Sequence, residues 1–261
     1  RGDFTLDIDT TISSGTVTAV LGPNGSGKST LLRALAGLQG IDSGEIHFGD
    51  RVVNAAPSIH VSPQDRSVGV VFQDYALFPH LTVGQNIAFG PRSLGASKKD
   101  AEMQSRAQMN SLGISELADR KPGQISGGQG QRVALARALA TQPDFLLLDE
   151  PLAALDAQTR ESVRAELDRQ IKAFVGCVVF VTHDPLDAML LADRVIVLEN
   201  GVITQEGTPG ELAARPATSY VASLMGVNLI RGQARDGVLH VDGGGVLHIP
   251  QHSLEGEVLA V

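Results

Sequence analysis

Short β-branched and aliphatic runs alternate along this chain with longer stretches in which apolar residues recur at helical spacing. The runs fall at Val17–Leu21, Val68–Phe72, Phe145–Asp149, Val178–Thr182 and Arg194–Leu198. Strands alternating with helical segments predict an α/β fold built on a largely parallel sheet. Several runs end on a polar or charged residue, and ligands of open α/β sheets bind at the carboxyl ends of the strands.

Between Thr82 and Ala140 the strand pattern stops. Helical segments separated by Gly and Pro take its place, one capped by Ser97 and closed by Gly113, which predicts a helical insertion over about 82–140. Asn200–Gly201, between Val195–Glu199 and Val202–Glu206, predicts a tight hairpin because both turn residues tolerate positive φ. Thr208–Pro209–Gly210–Glu211 then opens a helix with a cap, a first-turn proline and a glutamate placed to complete a capping box. From about Gly226 the texture changes to short strands with glycine turns, Gly232–Val241 and Gly243–Pro250. The expected organisation is one large unit over 1–225, followed over 226–261 by the start of a second, all-β unit. Two or three strands with one apolar face are marginal in water, and Glu257–Val261 is an apolar run that a finished domain pairs or covers. The chain is therefore expected to be a truncation of a longer protein and, beginning at Arg1 rather than Met, to lack a few leading residues.

Composition narrows the class. A chain of 261 residues, 43% hydrophobic and 19% charged, has room for one large domain with a sizeable core and does not resemble a disordered segment. Its longest apolar stretches, around Leu31–Leu38 and Cys177–Val181, are too short to span a bilayer, so any membrane role is expected to be peripheral. A net charge of −8 without a local basic patch argues against a nucleic-acid partner. The one cysteine, Cys177, excludes an internal disulfide or a cysteine zinc site, fits a reducing cytoplasm and reads as an inert core residue. No signal peptide is read.

Three stretches carry chemistry. Gly22–Pro23–Asn24–Gly25–Ser26–Gly27–Lys28–Ser29–Thr30 fits the phosphate-binding loop pattern, with an apolar strand before it and the helical run Leu31–Leu38 after it. Such a loop curls so that successive N–H groups converge, and the helix that follows adds its positive end. Lys28 is then expected to reach the β and γ phosphates, and the Ser29 hydroxyl to ligate Mg²⁺. Phe145–Asp149 ends on Asp149 and Glu150. Alone, that is a polar strand terminus; beside a phosphate loop, Asp149 becomes the expected Mg²⁺ partner and Glu150 the group that polarises the attacking water. Ser126–Gly127–Gly128–Gln129 reads as a capping box. Two first-turn glycines, costing about 1 kcal/mol each against alanine, also suggest bare N–H groups at a second anion site, one that completes the phosphate loop of another copy.

Leu21–Thr30, Gln73 after Val68–Phe72, Ile125–Gln129, Leu146–Glu150, Ala154–Leu155–Asp156, and His183 after Val178–Thr182 stand in the order and spacing of ABC ATPases. Over about residues 2–225 the chain resembles that family, whose fold is a P-loop NTPase core with a helical insertion. The resemblance implies an ATPase that uses ATP and Mg²⁺. By the same resemblance, Glu150, His183 and Gln73 take the catalytic positions, with His183 contacting the γ phosphate. Ser29, Gln73 and Asp149 serve the metal, Gln73 also senses the membrane subunit, and Asp156 belongs to the loop that crosses a dimer interface. The implied partners are a second copy in an ATP-dependent head-to-tail dimer, membrane permease subunits and, indirectly, a substrate-binding protein, at the cytoplasmic face of the membrane. Without the resemblance, His183 reads more readily as a helix-start residue ahead of Asp184–Pro185 than as a ligand.

The chain departs from the family pattern twice. The position of the usual adenine-stacking aromatic falls at or before Arg1, with Phe4 a weak substitute, and Ala153–Ala154 stands where many members carry a serine. Tyr75–Thr82 and the β-rich tail resemble bacterial importers with a C-terminal regulatory barrel. Within those, Phe89–Gly90–Pro91, Ala118–Pro122 and Gly226–Leu229 most resemble molybdate importers. Relatives for sulfate, ferric iron and polyamines share the nucleotide machinery, because partner proteins choose the solute. An ABC ATPase acting on nucleic acid or ribosomes is expected to carry coiled-coil inserts, zinc cysteines or paired cassettes. A non-hydrolysing module would not be expected to keep both Glu150 and His183.

Overall fold

In a computed structural model of the chain, residues 4–153, 155–228, 230–236, 238–242, 244–248 and 256–260 are described. Arg1, Ala154, Gly243, residues 249–255 and Val261, which figured in the expectations above, lie outside them.

The chain enters through β1 (Val17–Leu21), the glycine loop and α1 (Lys28–Ala36). It makes β2 (Glu45–Phe48), β3 (Arg51–Ala55) and β4 (Ile59–His60), then β5 (Val68–Val71) and the helices α2 (Val83–Ser93), α3 (Lys98–Ser111) and α4 (Gly127–Leu139). Next come β6 (Phe145–Asp149), α5 (Ala157–Ala173), β7 (Cys177–Val181), α6 (Pro185–Leu191), β8 (Arg194–Glu199) and β9 (Val202–Gly207). Two short helices, α7 (Pro209–Ala214) and α8 (Ser219–Leu224), lead to β10 (Ile230–Arg235), β11 (Val238–Val241), β12 (Val246–His248) and β13 (Gly256–Ala260).

The main sheet has the order β5-β6-β7-β1-β8-β9 and is parallel except for the β8–β9 hairpin. Its centre is apolar on both faces because alternate residues serve two cores. Val17, Ala19 and Leu21 join Leu146, Leu148, Val178 and Phe180 in one; Val20, Leu147, Val179 and Val181 join Leu32 and Ala36 of α1 in the other. The pairing Val71↔Leu148, Asp149↔Val181 and Val20↔Val181 keeps the strand ends level. The hairpin turn has Asn200 at φ 52° and Gly201 at φ 85°, as a two-residue turn of this hand requires. Among the described residues no helix is long and apolar enough to cross a membrane.

Three helices lie between Thr82 and Ala140, with Thr82, Ser97 and Ser126 accepting the N-terminal amides of α2, α3 and α4. The antiparallel sheet β2-β3-β4 has no counterpart among the expected strands. β2 alternates polar and apolar residues but over only four positions, β3 is buried at three successive residues, and β4 is two exposed residues, so the pattern is too short to announce a sheet. In the tail, β12-β11-β10-β13 form an open antiparallel sheet among the described residues, four strands where two or three were expected. The final apolar run is paired, with Leu259 opposite Arg231, and Leu239 and Ala234 are buried. Val246 and Leu247, expected to alternate across an apolar face, are both exposed.

One cation ties the sheets together. Arg66 is fully buried, and its donors all go to carbonyls: Nε to Val61 (2.7 Å), Nη1 to Ala34 (2.7 Å) and Leu35 (3.0 Å), Nη2 to Val53 (3.1 Å). Ala34 and Leu35 are in the last turn of α1, where the helix dipole favours a positive charge. Burial still pushes its pKa down, with Arg51 adding to the effect. Arg66→Met would leave four carbonyls without their donor, and we expect it to destabilise the chain by about 3 kcal/mol in urea unfolding. A loss below about 1 kcal/mol would show that water replaces the guanidinium there.

Candidate functional site

Level strand ends bring four loops to one edge of the sheet. β1 runs into Gly22, β5 ends two residues before Gln73, β6 ends at Asp149, and β7 ends two residues before His183.

The glycine loop is shaped by contact as much as by torsion. A Cβ on Gly22 would strike the Leu198 carbonyl and Ser26 Oγ. Gly27, at φ 104°, lies under Leu6 and Phe4, whose atoms would stand 2.7 and 3.0 Å from a Cβ there. Gly27 also caps α1 without a side-chain hydrogen bond, whereas the other α-helices among the described residues all have one. The first-turn amides of α1 are therefore left for an anion. Ser26 Oγ is buried with no partner, and Lys28 Nζ is turned back onto the loop, donating to the carbonyls of Gly22 (2.7 Å) and Pro23 (2.9 Å). Burial lowers the Lys28 pKa, opposed by the charges of Glu150 and Asp149. A buried hydroxyl without a partner, a buried ammonium and an uncapped helix end fit a polyphosphate. Pro23, Asn24, Gly25 and Ser29 are exposed around it, and Thr30 is half-buried.

Opposite stand two adjacent carboxylates. The Asp149 pKa is raised, first by burial and then by Glu150, against the pull of Arg33, a hydrogen bond with Ser29, and Lys28. A carboxylate near a hydroxyl, with a second negative charge adjoining, suits Mg²⁺, which takes few protein ligands and completes its shell with phosphate and water. Glu150 is in the left-handed region at φ 47°, a conformation uncommon for a side chain of this size, and its amide donates to Val181 O (2.9 Å). Its Oε2 lies 3.2 Å from His183 Nδ1 and accepts from Gln73 Nε2 at 3.4 Å. The three side chains thus converge, although they come from three different strand ends.

Ser126–Gln129 and Asp156 are not joined to this cluster by any hydrogen bond among the described residues. Ser126 accepts from Gln129 N (3.3 Å) and Gln129 Oε1 from Ser126 N (2.9 Å), so the capping box is real. Gly128 has a reason inside the chain: a Cβ would stand 2.9 Å from Thr159 and 3.2 Å from Val163 of α5. Gly128 therefore has a packing reason to lack a side chain, and that lack is not by itself a sign of an anion site. Gly127, exposed and with only an ordinary contact to Leu155, still supports it. Asp156 caps α5, accepting from Thr159 N (3.0 Å), which holds its carboxyl below the usual range.

Two arginines were not legible as site residues. Arg160 pairs with Asp184 (3.2 Å) and donates to Leu155 O (3.4 Å), linking the Asp156 loop to the residue after His183. Arg137 grips the loop after Gln73. Both partnerships span long sequence separations, and no local spacing announces them.

A strand, an uncapped glycine loop and a carboxylate strand one place away across β7 define a P-loop nucleoside-triphosphatase fold, and here a second glycine-opened helix lies on a helical insertion. The family model described as ABC transporter matches residues 6–153, and the chain belongs to that family. It is 45% identical over 237 residues to the sn-glycerol-3-phosphate import ATP-binding protein UgpC of Jannaschia sp. (strain CCS1), covering 90% of this chain and 66% of that protein. It is also 45% identical over 249 residues to the molybdenum import ATP-binding protein ModC of Mycobacterium tuberculosis (strain ATCC 25618 / H37Rv), covering 93% of this chain and 67% of that one. The dimeric structure of MJ0796, a bacterial ABC transporter cassette, superposes with a TM-score of 0.69 at 30% identity, covering 80% of this chain and 94% of that chain. The first two curated relatives are matched over 66% and 60% of their own length.

The raised Asp149 pKa makes a thermodynamic statement. The folded chain holds that proton more tightly than the unfolded chain, so stability without nucleotide falls as pH rises from the ordinary carboxylate range through the raised value. Asp149→Asn removes the repulsion with Glu150. We expect it to raise the melting temperature without nucleotide by roughly 2–4 °C, the shift about 1 kcal/mol produces at this size, and to abolish the extra stabilisation Mg²⁺ gives with ATP. A lower melting temperature would mean that the carboxylate is net stabilising.

Proposed function

We propose that this chain is the ATP-binding and ATP-hydrolysing subunit of an importer-type ABC transporter. The observation that carries the hydrolytic part is Glu150, held between Gln73 and His183 at the sheet edge where the glycine loop opens. In this reading the α1 amides, Ser26 Oγ and Lys28 Nζ hold the phosphates, with Lys28 exchanging the Gly22 and Pro23 carbonyls for phosphate oxygens. Ser29 and Asp149 hold Mg²⁺, which supplies charge neutralisation when bound. Glu150 orients and polarises water, His183 faces the terminal phosphate, and Gln73 joins the metal side. Phosphoryl transfer asks mainly for position and electrostatics, which such an arrangement can supply. Phe4, lying over Gly27, is the aromatic available to stack on the base.

Ser126, Gly127, Gly128, Gln129 and Asp156 take part through a second copy, head to tail, each copy closing the other's site. Solved relatives described as dimeric ATP-binding cassettes support that assembly, one of them bound to ADP and Pi. The subunit works at the cytoplasmic face of the membrane against permease subunits, supplied by a substrate-binding protein. Relatives named for sn-glycerol-3-phosphate, molybdenum and sulfate/thiosulfate import match at 45–46% identity. Molybdate is the solute favoured by Phe89–Gly90–Pro91 and Gly226–Leu229. The tail sheet belongs to a regulatory barrel.

Glu150→Gln is expected to bind ATP as the parent does and to hydrolyse it roughly 10²–10⁴-fold more slowly, while Lys28→Ala loses binding. Parent-rate hydrolysis by Glu150→Gln in a phosphate-release assay would refute the role given to Glu150. The same variant with ATP is expected to sediment as a dimer and, with Ser126→Arg added, as a monomer. A dimer that survives the second substitution would end the shared-site assembly. For the solute, ATPase stimulation of the purified transport complex by its binding protein loaded with molybdate, but not sulfate or sn-glycerol 3-phosphate, is the expected result. The reverse preference would remove molybdate and leave the ATPase standing.

A further inference from the structure

The loop after Gln73 takes an improbable path. Tyr75 (φ 60°) and Ala76 (φ 43°) are successive non-glycine residues in the left-handed region, at a cost of about 1–2 kcal/mol each. Such a pair persists only where the surroundings over-determine it. Here they come from one helix. Arg137 of α4 donates through Nη1 to Ala76 O (2.7 Å) and through Nη2 to Tyr75 O (2.9 Å), and its guanidinium lies 5.5 Å from the Phe78 ring centroid. Seven residues earlier on α4, two turns away on the same face, Gly130 lies against the Tyr75 ring, whose Cδ2 would stand at ordinary contact distance, 3.4 Å, from a Cβ there. The loop therefore lies along the helix that begins at Ser126. On the far side, Asn86 closes it, accepting from Phe78 N (2.8 Å) and donating to the carbonyls of Phe78, Leu81 and Thr82.

We propose that Arg137 is a positioning residue for Gln73: its two-carbonyl fork fastens the 73–78 loop to α4, so that the Ser126 end of that helix and the amide beside Glu150 move as one body. The proposal rests on the ATPase reading above. Lysine cannot reproduce the fork, because its donors radiate from a single nitrogen, whereas a charge alone would survive Arg137→Lys.

Arg137→Lys is expected to lower kcat about tenfold, the order that slight misplacement of a reacting group produces, with KM for ATP within about twofold of the parent. Amide hydrogen exchange is expected to quicken at 74–78 while β5 and β6 keep the parent rates. Because Arg137 acts through Gln73, adding Arg137→Lys to Gln73→Ala is expected to cost nothing further. Ala76→Pro, at an exposed position with φ forced negative, opens the same clamp from the loop side and is expected to give the same kcat loss and the same lack of additivity. It serves if Arg137→Lys does not fold. Independent, multiplicative losses in the double variant, or quickened exchange spread over β5 and β6, would reduce Arg137 to a structural residue and overturn the proposal. So would parent kinetics with parent exchange. If the parent chain itself fails to hydrolyse ATP, the ATPase reading falls. Exchange at 74–78 in Arg137→Lys then decides the positioning claim alone, parent-like protection refuting it.

Discussion

Burial of the central parallel strands on both faces is the constraint from which the rest of this structure follows. A strand with apolar residues on both sides readily admits a charged or amide side chain only where the sheet ends, although β1 does bury the Thr18 hydroxyl inside the sheet. Since β5, β6, β7 and β1 are paired with their ends level, the charged and amide groups that follow them meet at one edge. Gln73, Asp149, Glu150, His183 and the loop from Gly22 to Thr30 are neighbours for that reason. The chemistry of the edge is a by-product of how the core is closed.

At that edge the chain leaves several groups in states that a ligand would improve. The α1 amides have no capping side chain, Ser26 Oγ has no partner, and Lys28 donates to carbonyls of its own loop. Asp149 and Glu150 repel one another enough to help raise the Asp149 pKa. In the proposed reading, a metal–polyphosphate would supply both missing charges. Left-handed backbone at Glu150 belongs to the same picture: strain kept where surrounding hydrogen bonds hold it and where a side chain must point to a particular place.

Specific polar contacts arrange the loops around this edge, in addition to the apolar core that the helical insertion shares with the main sheet. Arg137 and Asn86 organise the stretch after Gln73, Arg160 links Leu155 to Asp184, and Arg164 pairs with Asp187 at 2.7 Å between α5 and α6. The three arginines join segments well separated in sequence through charge-assisted hydrogen bonds to carbonyls or carboxylates, whereas Asn86 closes its own loop over four to eight residues with neutral ones. Such contacts are geometrically demanding, so they can fix the relation of two loops without enlarging the core. Gly128 shows the opposite device, a missing side chain that lets α4 and α5 approach.

By itself the sequence determined what short-range chemistry dictates: the five main strands, the helical stretch between Thr82 and Ala140, the Asn200–Gly201 hairpin, the capping boxes at Ser126 and Thr208, and the phosphate loop. Each depends on torsional preference, apolar period or a side chain reaching its own backbone within three or four residues. The tertiary structure decided the remainder. The small sheet β2-β3-β4 escaped notice because its strands are stabilised by pairing and by Arg66 rather than by a marked apolar face. Glycine at 128 looked like an anion-site signature and proved to be, at least in part, a packing requirement set by Thr159 and Val163. Arg66, Arg137 and Arg160 carried no local signal, since an arginine that serves carbonyls or a carboxylate up to 62 residues away reads in sequence like any exposed cation. Local rules are written in neighbouring residues, but long-range hydrogen bonds exist only once the core has brought their partners together.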